Sequence, residues 1–291
     1  MPELYNISVI REVLKRHGFN FSKALGQNFI TNPSVCSRMG ELSGIDKNSG
    51  VIEIGPGIGV LSEELAKRAG KLVCIEIDKK LLPVLDETLA GYDNIKIING
   101  DILRLDLKRL IQEEFSGKKV FVCANLPYYI TSPVIMKLLE EKPGIKSITV
   151  MVQKEAARRI CAEPGTREAG AISLAVRYYT KPRILFNVSR GSFLPPPSVD
   201  SSVIRLELLP APSVTPQNEK LFFKTVKAGF SMRRKTLQNC LLAGFGLSKA
   251  ETAGIISACG LGANVRAEEL SLRNFCDIAD KINNSKELLI Q

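Results

Sequence analysis

Through the first two-thirds of the chain, short apolar runs alternate with amphipathic stretches. Residues 51–54, 72–78, 95–99, 120–124 and 148–152 are rich in Val and Ile, end in turn-forming residues, and read as buried strands. Residues 60–69, 79–90, 105–115 and 131–140 fill the gaps with apolar side chains at helical spacing. Upstream, residues 7–17 read as a short helix, and residues 21–30, without a clear period, as a loop or arm. Asn32-Pro33-Ser34 opens the next helix, with Thr31 or Asn32 as its cap and Pro33 in first position. Strands and helices alternating in this way predict an α/β fold: a doubly wound, mostly parallel sheet. Ligands of such sheets bind beyond the carboxyl ends of the strands.

The pattern changes in the last third. Residues 184–188 and 203–208 read as strands with no helix between them, so an antiparallel hairpin at the sheet edge is expected. Phe193-Leu194-Pro195-Pro196-Pro197-Ser198, lying between them, is a stiff extended loop. The proline-rich stretch 210–216 reads as a linker, and 217–230, 235–243, 248–258 and 267–284 read as helices. Two domains are therefore expected: 1–210, whose first 32 residues form an arm and helix, and a small all-helical domain over 211–291.

Composition narrows the partners. The 291 residues carry 40 Lys and Arg against 30 Asp and Glu, a net charge of +10, which favours a polyanion, nucleic acid before a membrane surface. The seven cysteines are scattered without a C-x-x-C, and His17 is the single histidine, so disulfides, zinc and histidine-based triads are not expected. No run is long enough to span a membrane and no apolar leader follows Met1, so a cytoplasmic protein is expected.

The candidate chemistry sits at four successive strand ends. Gly55-Pro56-Gly57-Ile58-Gly59 turns the first strand into a helix, and its glycines let the backbone approach a ligand at that helix N-terminus. The pattern is G-x-G-x-G, a moderate signal by itself. Glu76 lies 21 residues past Gly55, close to the ~20-residue spacing at which an acid meets ribose hydroxyls; Asp78 on the same strand is its rival. Asp101, after the third strand, is placed to accept from an adenine amine or to cap the following helix. Asn125-Leu126-Pro127-Tyr128-Tyr129 ends the fourth strand, since Pro127 cannot continue a ladder. The Asn125 side-chain oxygen and a carbonyl of the turn suit both hydrogens of an exocyclic amine, and Tyr128 suits the face of a heterocycle. Arg233-Arg234-Lys235, at a junction between two C-terminal helices, suits backbone phosphates, though solvated charge is equally compatible with that pattern.

These motifs together resemble the rRNA adenine N6,N6-dimethyltransferases of the KsgA/RsmA type, nearly end to end. The resemblance rests on Gly26-Gln27-Asn28-Phe29-Ile30, Glu53 through Gly59, Glu76, Gly100-Asp101, Asn125 through Tyr129, the string from Phe193 to Ser201, and Arg233 through Leu237. It implies a class I, Rossmann-like methyltransferase fold with a seven-stranded sheet. It also implies S-adenosylmethionine bound by residues matching Asn28, Ile30, Gly55, Gly57, Glu76, Asp101 and Asn125, with no metal. Catalysis would fall to Asn125, Leu126, Pro127 and Tyr128, and RNA binding to Arg233, Arg234 and Lys235. The implied reaction is transfer of methyl groups to two adjacent adenosines in the 3′-terminal hairpin loop of small-subunit (16S) rRNA, late in subunit assembly, by a monomer acting on a pre-30S particle. The competing expectations are the resistance-type methyltransferases of large-subunit rRNA, a DNA adenine methyltransferase, and an assembly factor that binds without catalysing. The Tyr-Tyr-x-x-Ser-Pro continuation and the P-P-x-V-D-S string weigh against the first, the small helical C-terminal domain against the second, and the intact Glu76, Asp101 and Asn125 against the third.

Overall fold

Each apolar run becomes a strand, and each strand stops where its sequence ceases to support a ladder. The computed structural model describes residues 4–19 and 26–287. The first part of the arm expected at 21–30, residues 21–25, lies outside the described residues. The chain begins with α1 (Ile7–Arg16), β1 (Phe29–Ile30), α2 (Pro33–Leu42), β2 (Ser49–Ile54), α3 (Val60–Arg68) and β3 (Lys71–Glu76). It continues through α4 (Leu82–Thr88), β4 (Ile95–Asn99), α5 (Leu107–Glu114), β5 (Lys119–Asn125), α6 (Thr131–Glu140) and β6 (Ile145–Gln153). Then come α7 (Lys154–Cys161), α8 (Ala171–Tyr179), β7 (Thr180–Val188), β8 (Phe193–Leu194) and β9 (Ser201–Leu208). Four helices follow: α9 (Glu219–Gly229), α10 (Leu237–Phe245), α11 (Lys249–Ala258) and α12 (Leu272–Glu287).

The main sheet has seven strands in the order β4-β3-β2-β5-β6-β9-β7. Strands β4 through β6 of that order pair parallel, and β9 pairs antiparallel with β6. All six residues of β2 are buried, as a parallel strand covered on both faces must be. The chain winds outward from β2 through β3 to β4, then returns to lay β5 on the other side of β2. The strand order reverses there, at the kind of crevice where open α/β sheets take their ligands. Register brings the strand ends level. Ile54 pairs with Ile75, Glu76 with Asn99 and Asn125 with Met151, so the residues that follow emerge on one edge.

A second, two-stranded sheet joins β1 to β8, pairing Phe29 with Leu194 and Ile30 with Phe193. The sequence pattern predicts Phe29–Ile30 only as part of the arm. The expected edge hairpin is present as the neighbours β7 and β9. Local signals also hold at the helix ends. Asn32 caps α2, accepting from Ser34 N, with Pro33 in its first turn, and Ser248 and Glu251 form a capping box on α11.

The chain divides into two units: the described residues up to 157 with 182–208, and 158–181 with the described residues from 209 onward. A single cut at 210 therefore misplaces 158–181. The reason is aromatic packing within the second unit. Tyr178 stacks on Phe222 with ring centroids 5.1 Å apart, Tyr179 stacks on Phe223 at 5.6 Å, and Tyr179 OH donates to Glu219 at 2.8 Å. Among the described residues, no helix is long and apolar enough to cross a membrane.

Candidate active site

Strand ends and the arm enclose one cavity of about 260 Å³ in the first unit. Its floor is the β2–α3 turn. Gly55, Gly57 and Gly59 all have positive φ (+67°, +62° and +93°), a backbone that only glycine adopts without strain. The turn closes through Gly59 N donating to Pro56 O at 3.0 Å, and Gly59 then serves as N-cap of α3. The Gly57 Cα lies so close to the Phe29 ring that a Cβ there would stand 3.0 Å from it.

Glu76, at the end of β3, is 4% exposed and lines the cavity. One carboxylate oxygen accepts from Asp78 N at 2.8 Å and the other from Gly57 N at 3.4 Å. Burial raises its pKa above the usual carboxylate value, and those two backbone donors pull it partly back. Asp78, its rival from the sequence, does not line the cavity. It caps the short 3-10 turn Lys79–Leu81 and accepts from Gln27 Nε2 at 2.9 Å. Asp101 does line the cavity, and its Oδ1 accepts from Leu103 N at 2.9 Å. The cap of α5 is instead Asp106, accepting from Arg109 N.

The opposite wall is the turn after β5. Leu126 is buried and its N–H donates to Met151 O at 3.2 Å, so the turn is pinned to the sheet. The Pro127 carbonyl accepts from Ile130 N at 3.1 Å. Asn125 Nδ2 donates to the Asn28 carbonyl at 3.2 Å. With its amino end engaged there, the amide offers its oxygen as the remaining acceptor. Tyr128 is half-buried, and its hydroxyl is 2.8 Å from Ser201 Oγ, a contact that orients the ring. Burial raises the Tyr128 pKa, and the hydrogen bond with Ser201 pulls it partly back.

Asn28, Ile30, Gly55, Gly57, Glu76, Asp101, Asn125, Leu126, Pro127 and Tyr128 thus all line one cavity. Arg233, Arg234 and Lys235 belong to the second unit, exposed in the turn between α9 and α10. Sequence reasoning missed Ser201, the partner of Tyr128, and the apolar lining residues Ile77 and Leu103. Ser201 ends a quoted motif and was within reach; Ile77 and Leu103 carry no chemical signal that marks them. Glu53, on β2, begins a quoted motif but carries no role in the sequence reading. It is fully buried, lines the cavity, and burial pushes its pKa up to about 7. Cys74 Sγ donates to it at 3.4 Å. Among the described residues, no group of three or more His, Cys, Asp or Glu side chains could hold a metal ion.

The amide oxygen of Asn125, the half-buried Tyr128 ring, the glycine turn and the buried Glu76 carboxyl thus meet in one cavity. The chain was also compared with known proteins. The chain is 44% identical over 273 residues to a ribosomal RNA small subunit methyltransferase A of Alkaliphilus oremlandii, covering 94% of this chain and 95% of that one. It is 46% identical over 286 residues to the protein of the same name from Bacillus cytotoxicus, covering 97% and 98%. In fold it resembles a dimethyladenosine transferase from Plasmodium falciparum (TM-score 0.70, 24% identity, 89% of this chain and 98% of that one). It also resembles the 23S rRNA methyltransferase ErmE (TM-score 0.67, 24% identity, 88% and 100%). The model of the ribosomal RNA adenine dimethylase family matches residues 18–284, and the chain belongs to that family.

Proposed function

We propose that this chain dimethylates N6 of two adjacent adenosines in the 3′-terminal hairpin loop of small-subunit rRNA, within a late assembly particle. The observation that carries this reading is the single cavity joining the glycine turn, Glu76 and Asp101 to the Asn125–Tyr128 turn. The relatives at 44% and 46% identity are named for the small subunit, whereas the likeness to ErmE is one of fold.

The cavity fits S-adenosylmethionine. Gly55 and Gly57 leave part of its backbone wall without side chains, and both Glu76 oxygens are held by backbone N–H groups with lone pairs to spare for a diol. Gly55 and Gly57 would hold the methionine part, Glu76 the ribose, Asp101 the adenine amine, and Asn28 and Ile30 the arm side. Bound there, the cofactor supplies an electrophilic methyl group on a cationic sulfur.

The chain's own residues do the rest. Asn125 Oδ1 and the Leu126–Pro127 backbone accept the two amine hydrogens of the target adenine, which turns the nitrogen lone pair out of conjugation and toward the cavity. Tyr128 stacks on the base, which must leave its RNA stack at a cost of a few kcal/mol. No general base is required, because the nitrogen loses its proton only after it has become cationic. Arg233, Arg234 and Lys235 hold backbone phosphates.

The test is methyl transfer from labelled S-adenosylmethionine to small subunits from cells lacking the modification, with free rRNA and large subunits alongside. N6,N6-dimethyladenosine on small subunits is expected. Label on large-subunit rRNA would reassign the chain to the resistance type, and binding without label would leave an assembly factor.

A further inference from the structure

Among the described residues, eight large apolar side chains are exposed, and Tyr129 is the one aromatic in that set, at 56%. It lies on the cavity, not away from it. Its neighbour Tyr128 is half-buried with its hydroxyl engaged by Ser201, so the two tyrosines are held differently. Both belong to the 3-10 turn Tyr128–Ile130, which closes through Ile130 N donating to Pro127 O. Tyr129 is also supported from the arm. A Cβ on Gly26, whose φ is +60°, would stand 3.6 Å from Tyr129 Cδ1 and Cε1 and 3.7 Å from Pro127 Cβ. Gly26 therefore lies close beside the ring, while more than half of the Tyr129 surface stays open to solvent.

An aromatic ring kept wet at the mouth of a base pocket is a stacking platform. Single-stranded RNA loops are read by splaying bases onto such rings, and the contact tolerates any base because every base has a π face. We infer that Tyr129 forms a second nucleobase subsite, stacking on the nucleotide next to the target adenine. The chain then engages a dinucleotide step and not an isolated base. Tyr128 holds the base being methylated, and Tyr129 holds its neighbour outside the cavity. This inference rests on the RNA-methylation reading above.

The experiment compares Tyr129→Ala and Tyr129→Phe with the wild-type chain. Substrates are unmodified small subunits and a short RNA hairpin carrying 2-aminopurine beside the target adenosine. Stacking predicts that Tyr129→Ala raises KM for RNA about ten- to hundredfold. It predicts kcat and S-adenosylmethionine affinity within about threefold of wild type. Tyr129→Phe restores KM, because the ring and not the hydroxyl makes the contact. The wild-type and Phe chains quench 2-aminopurine on binding, and the Ala chain does not. A wild-type KM for Tyr129→Ala would overturn the subsite, as would a Phe variant as impaired as Ala. A Tyr129→Ala chain that loses cofactor affinity would also overturn it, since the residue would then be supporting the cavity. A wild-type chain that methylates no small-subunit adenosine would instead overturn the proposed function, and the subsite with it.

Discussion

Gly57→Ala tests whether the glycine turn is shaped for a ligand. Gly57 has φ +62°, where a side chain costs about 1–2 kcal/mol. The new Cβ would also stand 3.0 Å and 3.1 Å from two atoms of the Phe29 ring, inside the 3.4 Å at which ordinary contact begins. Phe29 has little room to retreat. It is 5% exposed, its backbone pairs with Leu194 of β8, and its ring lies against Phe19 with centroids 6.2 Å apart. Overpacking of this kind adds about 1–2 kcal/mol. Together about 2–4 kcal/mol falls on the turn that floors the cavity and whose N–H reaches Glu76. Expressed in cofactor binding, that is a loss of about thirty- to several-hundredfold. Isothermal titration with S-adenosylmethionine, paired with calorimetric melting, reads both parts. Gly55→Ala is the comparison: its φ is +67° but no protein atom lies within 4 Å of the added Cβ, so its melting temperature should fall less. Adding Phe29→Leu to Gly57→Ala should recover the crowding share and leave the backbone share. Cofactor affinity within about threefold of wild type for Gly57→Ala would refute the reasoning.

Asn125→Ala should lower methyl transfer about a hundredfold or more while leaving cofactor affinity largely intact, because a preorganised acceptor is lost. Asn125→Asp should be no better, since a carboxylate oxygen would replace the amino group that donates to the Asn28 carbonyl. Full activity of either variant on its rRNA would sink the orienting role. Glu53 has a folded pKa raised to about 7, so the native state holds its proton more tightly than the unfolded chain does. Its contribution to stability is complete below the unfolded value near 4.5 and is lost as pH rises through about 7. Glu53→Gln should therefore gain in unfolding free energy relative to wild type as pH rises from 5 to 8, by up to about 3 kcal/mol at the upper end. A difference that stays flat with pH would contradict this. Gly50→Ala would put a Cβ 2.3 Å from Phe115 Cδ1 in the core, and should cost about 3 kcal/mol in urea denaturation. An unchanged midpoint would show that Phe115 moves freely.

What the sequence by itself determined is what short-range chemistry controls. The short runs rich in Val and Ile between turn residues make the strands, and Asn32-Pro33 caps a helix within three residues of itself. A G-x-G-x-G turn takes positive φ because glycine permits it. The cavity-lining residues at four strand ends could be named because a parallel sheet delivers those ends to one edge whatever the loops do. Tertiary structure decided the rest. Pairing of Phe29–Ile30 with Phe193–Leu194 joins segments more than a hundred and fifty residues apart, and neither carries a period that names its partner. The same holds for the Asn125 contact with the Asn28 carbonyl and the Tyr128 contact with Ser201. Two acids on one strand look alike in sequence. Only the fold sends Glu76 to the cavity and turns Asp78 to a local cap, just as it makes Asp106 and not Asp101 the cap of α5. Residues 158–181 joined the C-terminal helices because Tyr178 and Tyr179 found Phe222 and Phe223 there. Apolar and aromatic contact is non-directional, so a sequence states that such side chains will be buried and leaves their partners to whichever surfaces the folded chain brings within reach.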